Sequence, residues 1–138
     1  GGAMTLIDES YNASPVATRA AIAVLGQTAP EPGGRRIAIL GDMRELGATA
    51  PQLHAELAAP LCAAKIDQVF CCGHVIQGLF ENLPAAMRGR YTRDSKAMAA
   101  LLPDMLHAGD VVLVKGSKSV QMNFVIDAVR QMHDSAAA

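Results

Sequence analysis

Short apolar runs alternate along the chain with longer stretches whose apolar residues recur at helical spacing, the pattern that βαβ units leave in a sequence. Residues 4–7, 36–40, 68–72 and 111–114 read as strands, with a weaker run at 90–92. The runs at 36–40, 68–72 and 111–114 are apolar almost without alternation, as expected of parallel strands covered on both faces. Between them, Pro15 opens a helix through Leu25 on which Val16, Ala20, Ala23 and Val24 keep the period, and Gly26 closes it. A second helix is expected over 51–65 on Leu53, Leu57, Leu61 and Ala64, with Pro60 kinking it or ending it early. Ser95, following Asp94, reads as the N-cap of a third helix that runs to about His107, with Pro103 against it and Gly109 beyond its end. A last helix from about Val120 to Met132 carries Phe124, Val125, Ala128 and Val129, and 134–138 read as a frayed tail. The fold class is α/β: a doubly wound, mostly parallel sheet with helices on both faces.

Composition narrows the setting. A chain of 138 residues, 51% hydrophobic and 18% charged, fits a single domain over 1–138 that can bury a core without disulfides or metal. With 12 Lys+Arg against 13 Asp+Glu, the net charge of −1 leaves no electrostatic footprint for nucleic acid. No apolar run approaches the ~18 residues of a membrane span. Cys62, Cys71 and Cys72 are odd in number and two are adjacent, which suits a reducing cytoplasm better than a disulfide framework, and no secretory signal is visible. Gly1-Gly2-Ala3-Met4 runs straight into the first strand and reads as the cut edge of a longer chain. The cluster Pro30-Glu31-Pro32-Gly33-Gly34 lies between a helix and a strand and is a loop rather than a domain linker.

In an open parallel sheet, ligands gather at the carboxyl ends of the strands. Four loops qualify: residues 8–15 after the first strand, 41–47 after the second, Gly73-His74 after the third, and 115–119 after the last. Each except the last has a plainer reading. The polar turn before Pro15 would serve as a helix cap, Gly41-Asp42 as a tight turn and His74 as a helix-start residue. Cys71 and Cys72 read as core and lack metal-ligand spacing, and Met122 and Phe124 read as core too. Lys115-Gly116-Ser117-Lys118-Ser119 is harder to explain this way. A point charge, a close-approach backbone and hydroxyl donors at the end of a buried strand are the parts that hold a carboxylate or phosphate. It is not a Walker A loop, because the lysine precedes the glycine; nor does the chain contain G-x-G-x-x-G after a strand, G-x-S-x-G or H-E-x-x-H. The usual means of gripping a triphosphate are missing.

Taken together, 6–15 (Leu-Ile-Asp-Glu-Ser-Tyr-Asn-Ala-Ser-Pro), 39–47 (Ile-Leu-Gly-Asp-Met-Arg-Glu-Leu-Gly) with His54, and 110–117 (Asp-Val-Val-Leu-Val-Lys-Gly-Ser) closely resemble the Mur ligases. Within that family the likeness is to the ligases that add D-alanyl-D-alanine to UDP-N-acetylmuramoyl tripeptide in peptidoglycan synthesis. It covers nearly the whole chain, in order, and corresponds to the C-terminal domain of a three-domain bacterial cytoplasmic enzyme. The resemblance implies a Rossmann-like domain that closes over a central domain, the latter carrying the P-loop and most of the ATP and Mg2+ contacts. It makes Asp8, Tyr11 and Asn12 contacts to the base and ribose side of ATP. Asp42 would line the same mouth, and Lys115 and Ser117, with Lys118, would face the D-alanyl-D-alanine carboxylate or the acyl phosphate. It places no catalytic residue and no metal ligand in this chain, so the chain alone is expected to be inactive. Ser14 stands where this family often has Asn, and Ser119-Val120-Gln121 replaces a more familiar Gly-Met-Arg.

Two rival readings come from other classes. A bacterial receiver domain shares the length, the α/β pattern, an acidic pair after the first strand (Asp8, Glu9) and a lysine after the last (Lys115). Its phosphoacceptor aspartate, however, belongs at the end of the third strand, where this chain has Cys72-Gly73. A freestanding nucleotide-binding module would bind ATP measurably without any other domain.

Overall fold

The structure, a computed structural model, describes residues 4–9, 14–44, 46–117 and 120–137, with side chains as far as Met132. Five strands, β1 (Thr5–Glu9), β2 (Arg36–Gly41), β3 (Gln68–Cys72), β4 (Arg88–Thr92) and β5 (Val111–Lys115), form one parallel sheet in the order β1-β5-β2-β3-β4. The four expected runs and the weak fifth are all strands, so the α/β class holds. β1 begins and ends later than expected, because its ladder with β5 continues to Glu9 opposite Lys115 and draws two carboxylates into the strand. The apolar β2, β3 and β5 are the three inner strands, buried on both faces, as their lack of alternation required.

Strand alternation divides the core in two. Ala38, Leu40, Val69, Cys71, Val111 and Leu113 point to one side and meet α1 (Pro15–Gln27), α2 (Ala50–Ala55), α3 (Ala58–Ala63) and α4 (Gln77–Asn82). Ile37, Ile39, Phe70, Cys72, Val112 and Val114 point to the other and meet α5 (Ser95–Met105) and α6 (Asn123–Ala137). The sheet is therefore covered on both sides.

Side-chain caps set the starts of α1 and α5. Ser14 accepts the Ala17 N–H at 3.1 Å with Pro15 at the start of α1, so serine serves as the cap. Gly26 does not end α1, which runs on to Gln27; the glycine instead lets the helix pass close to Ala64, where a Cβ would come within 2.8 Å of the alanine methyl. The face that α1 buries carries Thr18, Ala21, Ile22 and Leu25, whereas Val16 is 80% exposed and Val24 50%. The stripe that sequence spacing picks out is thus the outer one. An alanine-rich helix with apolar residues on nearly every side has no single periodic face, and contact with the sheet makes the choice.

The helix expected over 51–65 is two short ones, broken at Glu56-Leu57, and Pro60 falls in the first turn of α3, where its missing N–H costs nothing. Asp94, not Ser95, caps α5, its carboxylate accepting the Ala97 N–H at 2.7 Å. α5 ends at Met105, two residues before His107, and contains Pro103. α6 starts at Asn123, later than expected, and stays helical past Met132 to Ala137. At the amino end of the sheet, Asp110 is 1% exposed and accepts the Arg35 and His107 amides, each at 2.9 Å, and the Arg35 guanidinium at 3.0 Å.

Candidate functional site

The carboxyl ends of β2 and β5 are tied together by their loops. Gly41 ends β2 and Gly116 follows β5; a Cβ on Gly116 would come within 3.2 Å of the Gly41 Cα and 2.7 Å of the Met122 side chain, so only glycine fits there. Just beyond, the Ser117 N–H donates to the Asp42 carbonyl at 3.0 Å, bringing two of the sequence-predicted site residues together. The Asp42 carboxylate reaches the next loop, accepting the His74 N–H through Oδ2 and the Ile76 N–H through Oδ1, both at 2.9 Å. His74 is not a helix-start residue: it lies in an exposed bend before Ile76, which precedes α4, and its backbone is held by Asp42.

Behind Asp42 lies a fully buried imidazole. His54 Nε2 accepts the Met43 N–H at 2.8 Å and Nδ1 faces the Ala50 carbonyl at 2.6 Å; one acceptor and one donor place the ring proton on Nδ1. Met43, 4% exposed, also receives the Thr18 hydroxyl at its sulfur, so α1, α2 and the loop after β2 are locked into one unit.

Lys115 is buried, its side chain 3% exposed, and its Nζ lies 3.8 Å from Glu9, the residue opposite it in the β1–β5 ladder. Burial pushes its ammonium below the usual lysine range, and the Glu9 carboxylate offsets part of that shift. Asp8 lies one residue earlier in β1 and hence on the opposite face, where Arg130 of α6 approaches it at 3.3 Å. The sheet therefore does not bring Asp8 and Lys115 to one side. Ser117 is buried at the mouth between β5 and β2. Tyr11, Asn12 and Lys118 lie outside the described residues.

Next to Asp42 a cavity of about 460 Å³ opens between the strand-end loops and α5. Asp42, Gly73 and His74 form one wall, and Arg93, Ser95 and Lys96 another. The Tyr91 hydroxyl donates to the Gly73 carbonyl and fixes the rim. Below it, burial, and then the nearby Asp42 and Asp94 carboxylates, push the Cys72 thiol up to about 12. Sequence reasoning missed Arg93, Ser95 and Lys96. The available signal was the capping Asp94 flanked by two cations directly after a strand. Among the described residues, no group of three His, Cys, Asp or Glu side chains is placed to hold a metal ion, and no helix is long and apolar enough to cross a membrane.

The end of β3 carries no carboxylate, and β5 rather than β1 sits inside the sheet, so the arrangement differs from a receiver domain, whose order is 2-1-3-4-5. The family model described as "Mur ligase, glutamate ligase domain" matches residues 1–118. This chain belongs to the Mur ligase family. The UDP-N-acetylmuramoyl-tripeptide--D-alanyl-D-alanine ligase of Escherichia coli K12 is 33% identical over 128 residues, 91% of this Mur ligase chain and 27% of that protein. The enzyme of the same name from Mycobacterium bovis is 34% identical over 148 residues, 94% of this chain and 29% of that protein. Among solved structures, the MurF ligase of Thermotoga maritima in complex with ADP superposes with a TM-score of 0.78 at 26% identity, covering 97% of this chain and 30% of that one. The chain spans under a third of the length of each of these relatives.

Proposed function

We propose that this Mur ligase chain is the C-terminal domain of a three-domain, ATP-dependent ligase that joins D-alanyl-D-alanine to UDP-N-acetylmuramoyl tripeptide in the bacterial cytoplasm. The observation that carries the reading is the likeness, over 91% of the chain, to a ligase named for that reaction. In such a ligation ATP activates the peptide carboxylate as an acyl phosphate, and the amine of the dipeptide displaces the phosphate. Both steps build negative charge, which donors at strand ends and helix N-termini stabilise.

Within this reading Asp8, Tyr11 and Asn12 meet the base and ribose side of ATP. Lys115 and Ser117, with Lys118, supply positive charge and donors near the acyl phosphate or the dipeptide carboxylate. Asp42 lines the same mouth, and its engaged carboxylate keeps the loops after β2 and β3 in register. The triphosphate and Mg2+ are assigned to the rest of the enzyme, because the sequence lacks a P-loop and the described residues offer no metal-ligand cluster. This domain's work is positioning and closure, which keep water from an acyl phosphate.

The test is turnover in the complete ligase. Asp8→Ala and Lys115→Ala should each lower ligation strongly while the fold survives; unchanged turnover in both would sink the site assignment. The 138-residue chain by itself should neither bind ATP measurably nor hydrolyse it, and turnover by the pure chain would refute the division of labour.

A further inference from the structure

The peptide unit that joins Asp42 to Met43 is held from both sides. Its N–H, on Met43, donates to His54 Nε2 at 2.8 Å, and its carbonyl, on Asp42, accepts the Ser117 N–H at 3.0 Å. A trans peptide is planar, with its N–H and C=O pointing in opposite directions. The two bonds therefore sit on one rigid plate, and turning that plate disturbs both at once. His54 is fully buried, and its Nδ1 lies 2.6 Å from the Ala50 carbonyl one turn earlier in α2, so the ring is itself fixed. Hydrogen bonds in such a row polarise one another, and this row ends in the loop that follows β5.

We infer that His54 is a positioning residue for the ligation, setting the Ser117 backbone through the Asp42–Met43 peptide. The inference rests on the function proposed above, in which Lys115 and Ser117 face the acyl phosphate or the dipeptide, and deepens it by naming what fixes that loop. A neutral imidazole suits the task because one rigid ring offers both an acceptor, Nε2, and a donor, Nδ1. Without the acceptor, the buried Met43 N–H has to turn toward another partner, because a buried amide is seldom left unpaired. The plate turns with it, and the Asp42 carbonyl leaves the line of the Ser117 N–H. Two further loops are tied to the same plate. The Asp42 carboxylate accepts the His74 and Ile76 amides, and the Thr18 hydroxyl of α1 donates to the Met43 sulfur at 3.6 Å. His54 thus acts on the reaction only through its neighbours.

The experiment uses the complete ligase with His54→Gln and His54→Asn. The Gln side chain reaches as far as Nε2 and can still accept the Met43 N–H, whereas the shorter Asn reaches only the Ala50 carbonyl. Thermal melting checks that both fold, and His54→Leu, which has no acceptor, replaces His54→Asn if that variant does not. His54→Asn should raise the KM for D-alanyl-D-alanine about tenfold and lower kcat, leaving the KM for the UDP-linked peptide as it was. His54→Gln should stay within about twofold of wild type. Hydrogen–deuterium exchange read by mass spectrometry should be faster at the Ser117 amide in His54→Asn and unchanged in His54→Gln. A ring that only fills space would lower the active fraction or the melting temperature with every KM and the Ser117 amide unmoved, and that result would overturn the inference. Equal impairment in the two variants would overturn it as well, since the acceptor would then not matter. A wild-type enzyme that does not ligate D-alanyl-D-alanine would overturn the function proposed above, whatever the variants do.

Discussion

His54 Nε2 holds the Met43 backbone N–H at 2.8 Å, across the width of the loop that leaves β2. Since the next residue back is Asp42, whose carbonyl and carboxylate tie down the loops after β5 and β3, one buried ring sets the position of the strand-end cluster. His54→Ala should remove an acceptor from a buried amide and open a cavity at once, costing about 2–4 kcal/mol in stability. Urea unfolding measures this, and a loss below about 0.5 kcal/mol would show the ring to be dispensable.

At the opposite end of the sheet, Asp110 has a comparable place. Asp110→Ala strips one acceptor from the Arg35 and His107 amides and leaves the Arg35 guanidinium without its carboxylate. The Arg35 side chain is 32% exposed and can be rehydrated, so the cost comes mainly from the unsatisfied amides and is about 1–3 kcal/mol. The expected outcome is a clear fall in the urea midpoint. A wild-type midpoint would mean that water replaces the carboxylate at little cost.

The three thiols should separate by reactivity. Cys62 is exposed, while Cys71 and Cys72 are buried. A thiol reagent at pH 8 should label Cys62 promptly and the other two only on unfolding, with mass spectrometry of the peptides reading the sites.

The same buried pair bears on alkaline stability. Cys72 keeps its proton until about pH 12, against 9.0 for the ordinary thiol, so between those values the unfolded chain has lost a proton that the folded chain retains. Its contribution is intact below pH 9.0 and falls away as pH rises toward 12. Urea unfolding between pH 8 and 11 should therefore show a decline, shallower in Cys72→Ala. An equal decline in both proteins would place its cause elsewhere.

The parts of the fold legible in the sequence were those where one signal dominated. β2, β3 and β5 were plain because continuous apolar runs belong to buried parallel strands. α1 misled because Val16, Ala20, Ala23 and Val24 keep helical spacing as well as Ala21, Ile22 and Leu25 do, and only the neighbouring sheet distinguishes the two faces. Ser95 lost the capping role to Asp94 by one residue, a choice between two good caps that depends on where β4 ends. At the site, the loops after β2 and β5 were found from their glycines and charges. The wall from α5 was not, because Arg93, Ser95 and Lys96 gain meaning only when the order β2-β3-β4 brings them beside Asp42.

Among the described residues β5 is the last strand, yet it lies between β1 and β2, and β1 pairs with no other strand. During synthesis residues 5–9 leave the ribosome ahead of the rest of this sheet and wait for their partner until β5 follows, on the order of ten seconds at about 5–20 residues per second. Nascent chains stalled before Val111 emerges should be cut readily by protease, and those stalled well past Lys115 should resist. The β1 edge of the sheet is thus completed last, a delay set by strand order alone.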